Sequence, residues 1–600
     1  MTKAAGLSWP GVLGSHEARR VAMNDKCEAV VIGTGFGGAI NACRLARKWP
    51  GKVVVLERGK RYGLGEFPRA PADFARNFWV LPDRTPHPSH VRKAAGKAGE
   101  LHGMYDVRNY DHMDVVICAG VGGGSLIYAN VFLVPPDEVF ADKRWPESCK
   151  KPKLMPYYAV AKSVLGSRPI PSSGSDPRRR IFKTELFQAV AQRGRHDSQL
   201  VDINVFFGRD PKAPPLDIGH QERNRYGALQ TSCTYCGECI CGCNYHAKNT
   251  VDLNYLYAAE NCHRADVRTE CLADEIVPVN TAGADDPEAD GSHGYRVKYR
   301  NLKANKREAI LTSRVVVSGG CLGSTELLLR CKLVLRTLPQ ISDRLGQQFS
   351  GNGDFLSFVI QGFEGDPNYG PTITQRTDYN LFRNFAPSHA FILEDASYPA
   401  FLAWFVEGVK PRCMWLKPIS RLVRHLLASL TSGKSPGTAG FAFADALSNS
   451  TSAQSAVLLC MGVDTSNGVM DLDSSSHLRV HWPWQQNRRL YDAILEAGKE
   501  FKRLAGAETF TALPTWDWPI RNNVTVHPLG GCVLADDPAQ GVTSADPGRF
   551  GEVFGYKGLY VADGAIVPTA TGSNPVATIC ALSEILAEGI THIQPDDKLC

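Results

Sequence analysis

Reactive side chains are concentrated in a few stretches of this sequence. Cys233, Cys236, Cys239 and Cys243 recur as C-x2-C-x2-C-x3-C, with Cys241 inside the last gap and Asn244 where a ferredoxin run carries proline. Thiolates at those intervals can converge on an iron–sulfur cluster or on zinc, and the same run can equally be a reduced or partly bridged structural loop. A second stretch, Gly33-Thr34-Gly35-Phe36-Gly37-Gly38, follows the apolar run Ala29-Val30-Val31-Ile32. Gly33 permits a tight turn, Gly35 lets backbone approach a pyrophosphate, and Gly38 lets a helix lie close to the preceding strand. Glu57, 19 positions after Gly38, stands where a ribose hydroxyl would be held. An acid there argues for a free 2′-hydroxyl, hence FAD or NAD rather than NADP. A third stretch runs from Gly120 through Gly122, Gly123 and Gly124 to Ser125. Its bare amides suit a flat ring or an anion against the main chain, or simply a turn between two buried segments.

These residues need a strand, a glycine turn, a helix and a second strand to position them, and residues 28 to 57 supply that order. Val53-Val54-Val55-Leu56 is the second strand. A further buried strand, glycine turn and helix is expected over Arg314 to Leu329, and alternating segments flanking the acidic loop 282–292 predict a hairpin. Toward the C-terminus, Gly558-Leu559-Tyr560-Val561-Ala562-Asp563-Gly564 leads to Gly572-Ser573-Asn574-Pro575 and a final helix. That return makes the nucleotide-binding unit discontinuous: 24–350, with 60–110 and 166–230 as covering excursions, and again 521–592. Aromatic, alternating segments between 351 and 520 predict a second, mostly antiparallel sheet. The fold class is therefore α/β, α+β overall, with a Rossmann-like cofactor domain and a sheet-based substrate domain.

The chain has 600 residues, 43% of them hydrophobic, enough for a large core. Its formal charge of +6, from 67 basic and 61 acidic side chains, is near balance and gives no nucleic-acid footprint. Residues 1–26 read as a loose leader without an apolar run of signal-peptide length, so the expected location is cytoplasmic, with reduced cysteines. From Pro418, the residues Ile419, Leu422, Val423, Leu426, Leu427 and Leu430 fall on one face of a helix that also carries Arg421, Arg424 and His425. Such a helix is a lid or core element, or makes peripheral contact with an anionic membrane.

The set Gly33–Gly38, Gly120–Ser125, Ser318–Leu329, His527-Pro528-Leu529-Gly530-Gly531-Cys532 and Asp563 through Asn574-Pro575 resembles the glucose-methanol-choline (GMC) flavoprotein oxidoreductases, and most closely their cholesterol oxidase branch. The resemblance covers most of residues 28–590 in order. It implies FAD, with Gly33, Gly35, Gly38 and Glu57 at its ADP part, Gly122 to Ser125 by the isoalloxazine, and Asp563 at the phosphate and ribityl region. Some family members carry an iron–sulfur cluster at a chain position similar to the cysteine run.

Oxidation of an alcohol by a flavin moves a hydride from carbon and a proton from oxygen. His527 fits the proton acceptor, since neutral imidazole titrates near working pH, and Asn574 fits as donor to the substrate oxygen. The branch also uses a glutamate from the substrate domain, for which Glu394 and Glu407 are candidates by location. The leading expectation is oxidation of a hydrophobic alcohol, a 3β-hydroxysteroid for instance, with dioxygen as acceptor. The alternatives are a dehydrogenase of an aromatic or sugar alcohol that passes electrons through an iron–sulfur cluster to a cytochrome or quinone, and a flavin electron-transfer module without turnover.

Overall fold

Cys27–Ile32 carries a β-branched run buried on both faces, which is the requirement for a central parallel strand. It pairs in parallel with Val53–Leu56 on one side and with the second half of Lys306–Val317 on the other. Asp266–Arg268 and Leu559–Val561 extend the parallel part outward. The first half of the long strand Lys306–Val317 instead pairs antiparallel with Tyr295–Asn301, which pairs with Cys271–Pro278. The expected hairpin and the expected return of the chain after residue 550 are both present in this seven-stranded sheet. The computed structural model describes residues 27–70, 73, 76–80, 101–363, 366–403, 450–516 and 520–600. The leader, Glu407 and the helix expected from Pro418 lie outside the described residues.

The second sheet is wholly antiparallel and has six strands: Thr509–Ala512, Phe355–Ile360, Ser455–Gly462, Phe391–Ala396, Gln375–Tyr379 and Ser198–Leu200. The helix Arg488–Ala505 covers it with Leu490, Tyr491, Ile494, Ala497 and Phe501, the spacing of one buried stripe. The sheet is not confined to 351–520, because Ser198–Leu200 forms its far edge and the helix Phe182–Gly194 packs beside it. That helix lies in a stretch read as an irregular excursion. Its apolar period is broken by Lys183, which is buried and donates to the Asp395 carboxylate at 3.0 Å.

A third, small sheet joins the two halves. Tyr105–Tyr110 pairs with Met113–Cys118, which pairs in parallel with Asn523–Thr525. The first of these strands was hidden within the 60–110 excursion because its inward residues are charged. Arg108 is buried with Asp106 at 3.1 Å and Glu326 at 2.7 Å, and Arg58 closes the group on Asp106 at 2.8 Å. Pairing of this kind keeps buried charge tolerable while removing the hydrophobic alternation that marks a strand.

Candidate active site

The nucleotide end is assembled first. Gly33 sits at φ +98, and a Cβ there would lie 2.2 Å from the Ser318 carbonyl oxygen. The helix Phe36–Lys48 starts without a side-chain cap and without an acid in its first turn, leaving its amides available to an anion. Against this turn lies the second glycine loop, where a Cβ on Gly123 would come within 2.6 Å of the Gly35 Cα. Glu57 knits the two loops together. One of its oxygens accepts from the Thr34 amide and hydroxyl at 3.1 and 2.5 Å, the other from the amides of Gly59 and Gly120 at 2.8 and 3.2 Å. Both carboxylate oxygens are thus engaged by protein donors, which the expected ribose contact did not anticipate.

Ser125 is likewise committed: its hydroxyl donates to the Gly122 carbonyl at 2.7 Å and accepts from the Val251 amide at 3.1 Å. Asp563 accepts from the Gly320 amide, the Ser324 hydroxyl and the Ala565 amide at 2.9, 2.5 and 2.8 Å, tying the last parallel strand to the helix Gly320–Leu329. Burial pushes its carboxyl up to about 6, against the lowering effect of those donors.

These residues fit FAD. Among the described residues, open space surrounds the positions a Cβ would take at Gly35 and Gly124, the helix amides are uncapped, and beside Gly122 the buried Asp252 Oδ1 has no hydrogen-bond partner. A phosphate-bearing ligand with hydroxyls would meet each of these.

At the other end, one turn of sequence, Ser350 to Asp354, brings distant segments together. Ser350 exchanges backbone hydrogen bonds with Leu529 at 2.9 and 3.0 Å. Asn352 donates to the Ser573 carbonyl at 2.9 Å and accepts from the amides of Thr571 and Gly572 at 2.9 and 3.1 Å. Asp354 accepts from the Thr525 hydroxyl at 3.0 Å, the Val526 amide at 2.8 Å and His527 Nδ1 at 2.9 Å. The segments bearing His527 and Asn574 therefore share a single anchor. Among the described residues His527 Nε2 has no hydrogen-bond partner, and the side chain is 14% exposed.

Asn574 donates through Nδ2 to Glu394 Oε2 at 3.3 Å, while its own Oδ1 and Glu394 Oε1 are buried without partners among the described residues. Burial pushes the Glu394 carboxyl up to about 8, reinforced by Asp395 and Asp354 and opposed by Asn574 and Arg376. Glu394 is the glutamate that the substrate sheet contributes to this region. Spacing alone could not single it out, since its place depends on which strand passes Asn574. Asp354 and Asn352 gave no signal at all: a Gly/Asn/Asp turn reads as a turn.

Cys233, Cys236, Cys239 and Cys243 line one small cavity, together with Lys248 and the backbone of Gly370. Among the described residues, no group of three His, Cys, Asp or Glu side chains is placed to hold a single metal ion. Burial raises the thiols of Cys233 and Cys243, and pushes that of Cys236 up to about 12. Lys248 is buried above them and donates to the carbonyls of Leu126, Tyr128 and Cys239 at 2.8, 3.1 and 2.7 Å. Elsewhere, Cys262 and Cys600 form a disulfide. Among the described residues no helix is long and apolar enough to cross a membrane.

Two models of the GMC oxidoreductase family match, one over residues 218–348 and one over 464–583. A cholesterol oxidase of Acinetobacter baumannii is 28% identical over 571 residues, 92% of each chain. A cholesterol oxidase of Mycobacterium tuberculosis is 27% identical over 585 residues, covering 94% of this chain and 90% of that one. Among solved structures, pyridoxine 4-oxidase from Mesorbium loti superposes with a TM-score of 0.55 at 14% identity, covering 95% of this chain and all of that one, a likeness of fold.

Proposed function

The chain belongs to the GMC oxidoreductases and is an FAD-dependent alcohol oxidoreductase, and from that premise we propose that it oxidises a hydrophobic alcohol, a 3β-hydroxysteroid foremost, with His527 as proton acceptor. The observation that carries the reading is the orientation of His527: Nδ1 is held by Asp354, which leaves Nε2 as the only ring nitrogen free to take a proton. FAD held by Gly33, Gly35, Gly38, Gly122 to Gly124 and Asp563 supplies the acceptor for the carbinol hydride. His527 Nε2 takes the hydroxyl proton, a step in which a positioned base contributes about 10²- to 10⁴-fold. Asn574 has a second N–H beyond the one given to Glu394, and it donates to the substrate oxygen as that oxygen gains charge.

The names of the two relatives support a sterol and, as oxidases, dioxygen as acceptor. An anaerobic panel of sterols, long-chain, aromatic and sugar alcohols, read by bleaching of the flavin, tests the substrate class. The reading predicts bleaching by sterols and hydrogen peroxide on admitting air. Bleaching by sugars alone overturns the substrate class. His527→Ala protein that bleaches at the wild-type rate overturns the base.

A second reading concerns the acceptor alone. Four thiols around one cavity would suit the iron–sulfur cluster that the cysteine spacing allows. Electrons would then leave singly, to a cytochrome or quinone. Iron and acid-labile sulfide in anaerobically purified protein support this reading, and their absence leaves dioxygen.

A further inference from the structure

We propose that Asp354 is the positioning residue of this site: it fixes the tautomer and direction of His527 and holds the positive charge that develops on its ring. The inference rests on the reading of His527 as the base and goes beyond it to what makes that histidine competent.

Asp354 is 1% exposed and lies where the turn Ser350–Asp354 enters the strand Phe355–Ile360, so its side chain cannot drift into solvent. Both its oxygens lie within 3.0 Å of His527 Nδ1, and the Thr525 hydroxyl and Val526 amide fix the plane of the carboxylate from the other side. A carboxylate can only accept, so Nδ1 must carry the ring proton and Nε2 must present a lone pair. When the hydroxyl proton of the alcohol passes to Nε2, the O–H bond breaks, an N–H bond forms, and the imidazolium stands against a carboxylate already in place. The same turn secures the loop before Asn574 through Asn352, so base and oxygen donor are set in register by residues two positions apart. Glu394, Cys460 and Tyr491, all buried, are among the titratable groups that feel the Asp354 charge.

The test compares wild type, Asp354→Asn, Asp354→Glu and His527→Ala by anaerobic stopped-flow reduction of the flavin from pH 5.5 to 10. An amide in place of the carboxylate donates through its NH₂ to Nδ1 and forces the proton to Nε2. Asp354→Asn is therefore expected to reduce its flavin about 10²- to 10⁴-fold more slowly with little change in substrate KM. Asp354→Glu recovers part of the rate. Ring-¹⁵N-labelled histidine, with the His527 signal assigned from its loss in His527→Ala, reports the proton on Nδ1 in the wild type and on Nε2 in Asp354→Asn.

A slow His527→Ala together with an Asp354→Asn that keeps the wild-type rate and ¹⁵N signal overturns the role of Asp354 alone. A fast His527→Ala overturns the base itself. Should Asp354→Asn fail to bind flavin, Thr525→Val, which removes the hydroxyl that donates to the carboxylate and to the Gly351 carbonyl and accepts from the His527 amide, is expected to lower the rate by a smaller amount. An unchanged Thr525→Val profile then counts against the proposal.

Discussion

Glu394→Gln should change the pH dependence of stability in a direction and to an extent that follow from where Glu394 sits. Its carboxyl is wholly buried, and burial moves it from 4.5 up to about 8. A displacement of that size corresponds to about 5 kcal/mol between the neutral and ionised forms. In the unfolded chain the group ionises at its ordinary value, so between about pH 4.5 and 8 unfolding releases a proton. The stability it contributes is full below pH 4.5, falls as pH rises, and is lost above about pH 8. Glutamine is neutral throughout, and its amide oxygen can still accept from Asn574. The stability of Glu394→Gln relative to wild type should therefore rise with pH, from a small offset at pH 5.5 to a gain of several kcal/mol at pH 9. Urea unfolding followed by far-ultraviolet circular dichroism at fixed temperature measures the difference at each pH, and any constant cost of the substitution cancels in the slope. A difference that stays flat from pH 5.5 to 9.5 would refute the reasoning, because it would mean that Glu394 is ionised in the folded protein or reached by water.

Gly33→Ala and Gly35→Ala should separate folding from cofactor binding. The first places a methyl group 2.2 Å from the Ser318 carbonyl oxygen in a left-handed turn and is expected to yield no soluble protein, whereas the second meets open space, folds, and loses FAD on gel filtration, read as a drop in the visible-to-ultraviolet absorbance ratio. Arg108→Met leaves Glu326 without its 2.7 Å partner while Arg58 still holds Asp106, so a loss of about 3 kcal/mol is expected in urea titration, and a change below 1 kcal/mol would show that the buried group is not coupled.

What could be read from the sequence follows from how local its cause was. Strand, turn and helix over Cys27–Leu56 are dictated by contiguous residues, and so is the hairpin between Cys271 and Asn301. His527 and Asn574 were legible because each lies in a distinctive run. Their supports were not, since Asp354 and Glu394 act through segments more than 170 positions away, and nothing near them in sequence records the contact. Tyr105–Tyr110 and Phe182–Gly194 escaped for a related reason: buried ion pairs replace the apolar periodicity by which an element is recognised. Glu57 was placed correctly in the chain, but its commitment to four donors depends on the second glycine loop, about 60 residues further on.

The parallel sheet also governs when this protein can come into being. Lys306–Val317 waits for Leu559–Val561, and the helix after it waits for Asp563, so an emerging chain carries an unpaired apolar edge until those residues have left the ribosome. Pairings such as Cys27 with Thr312 and Thr377 with Ser198 likewise close very long loops. Chains of this kind fold late, slowly and with exposed strands, so yield in a foreign host should respond to slower synthesis, lower temperature and added chaperones more than to any change at the surface.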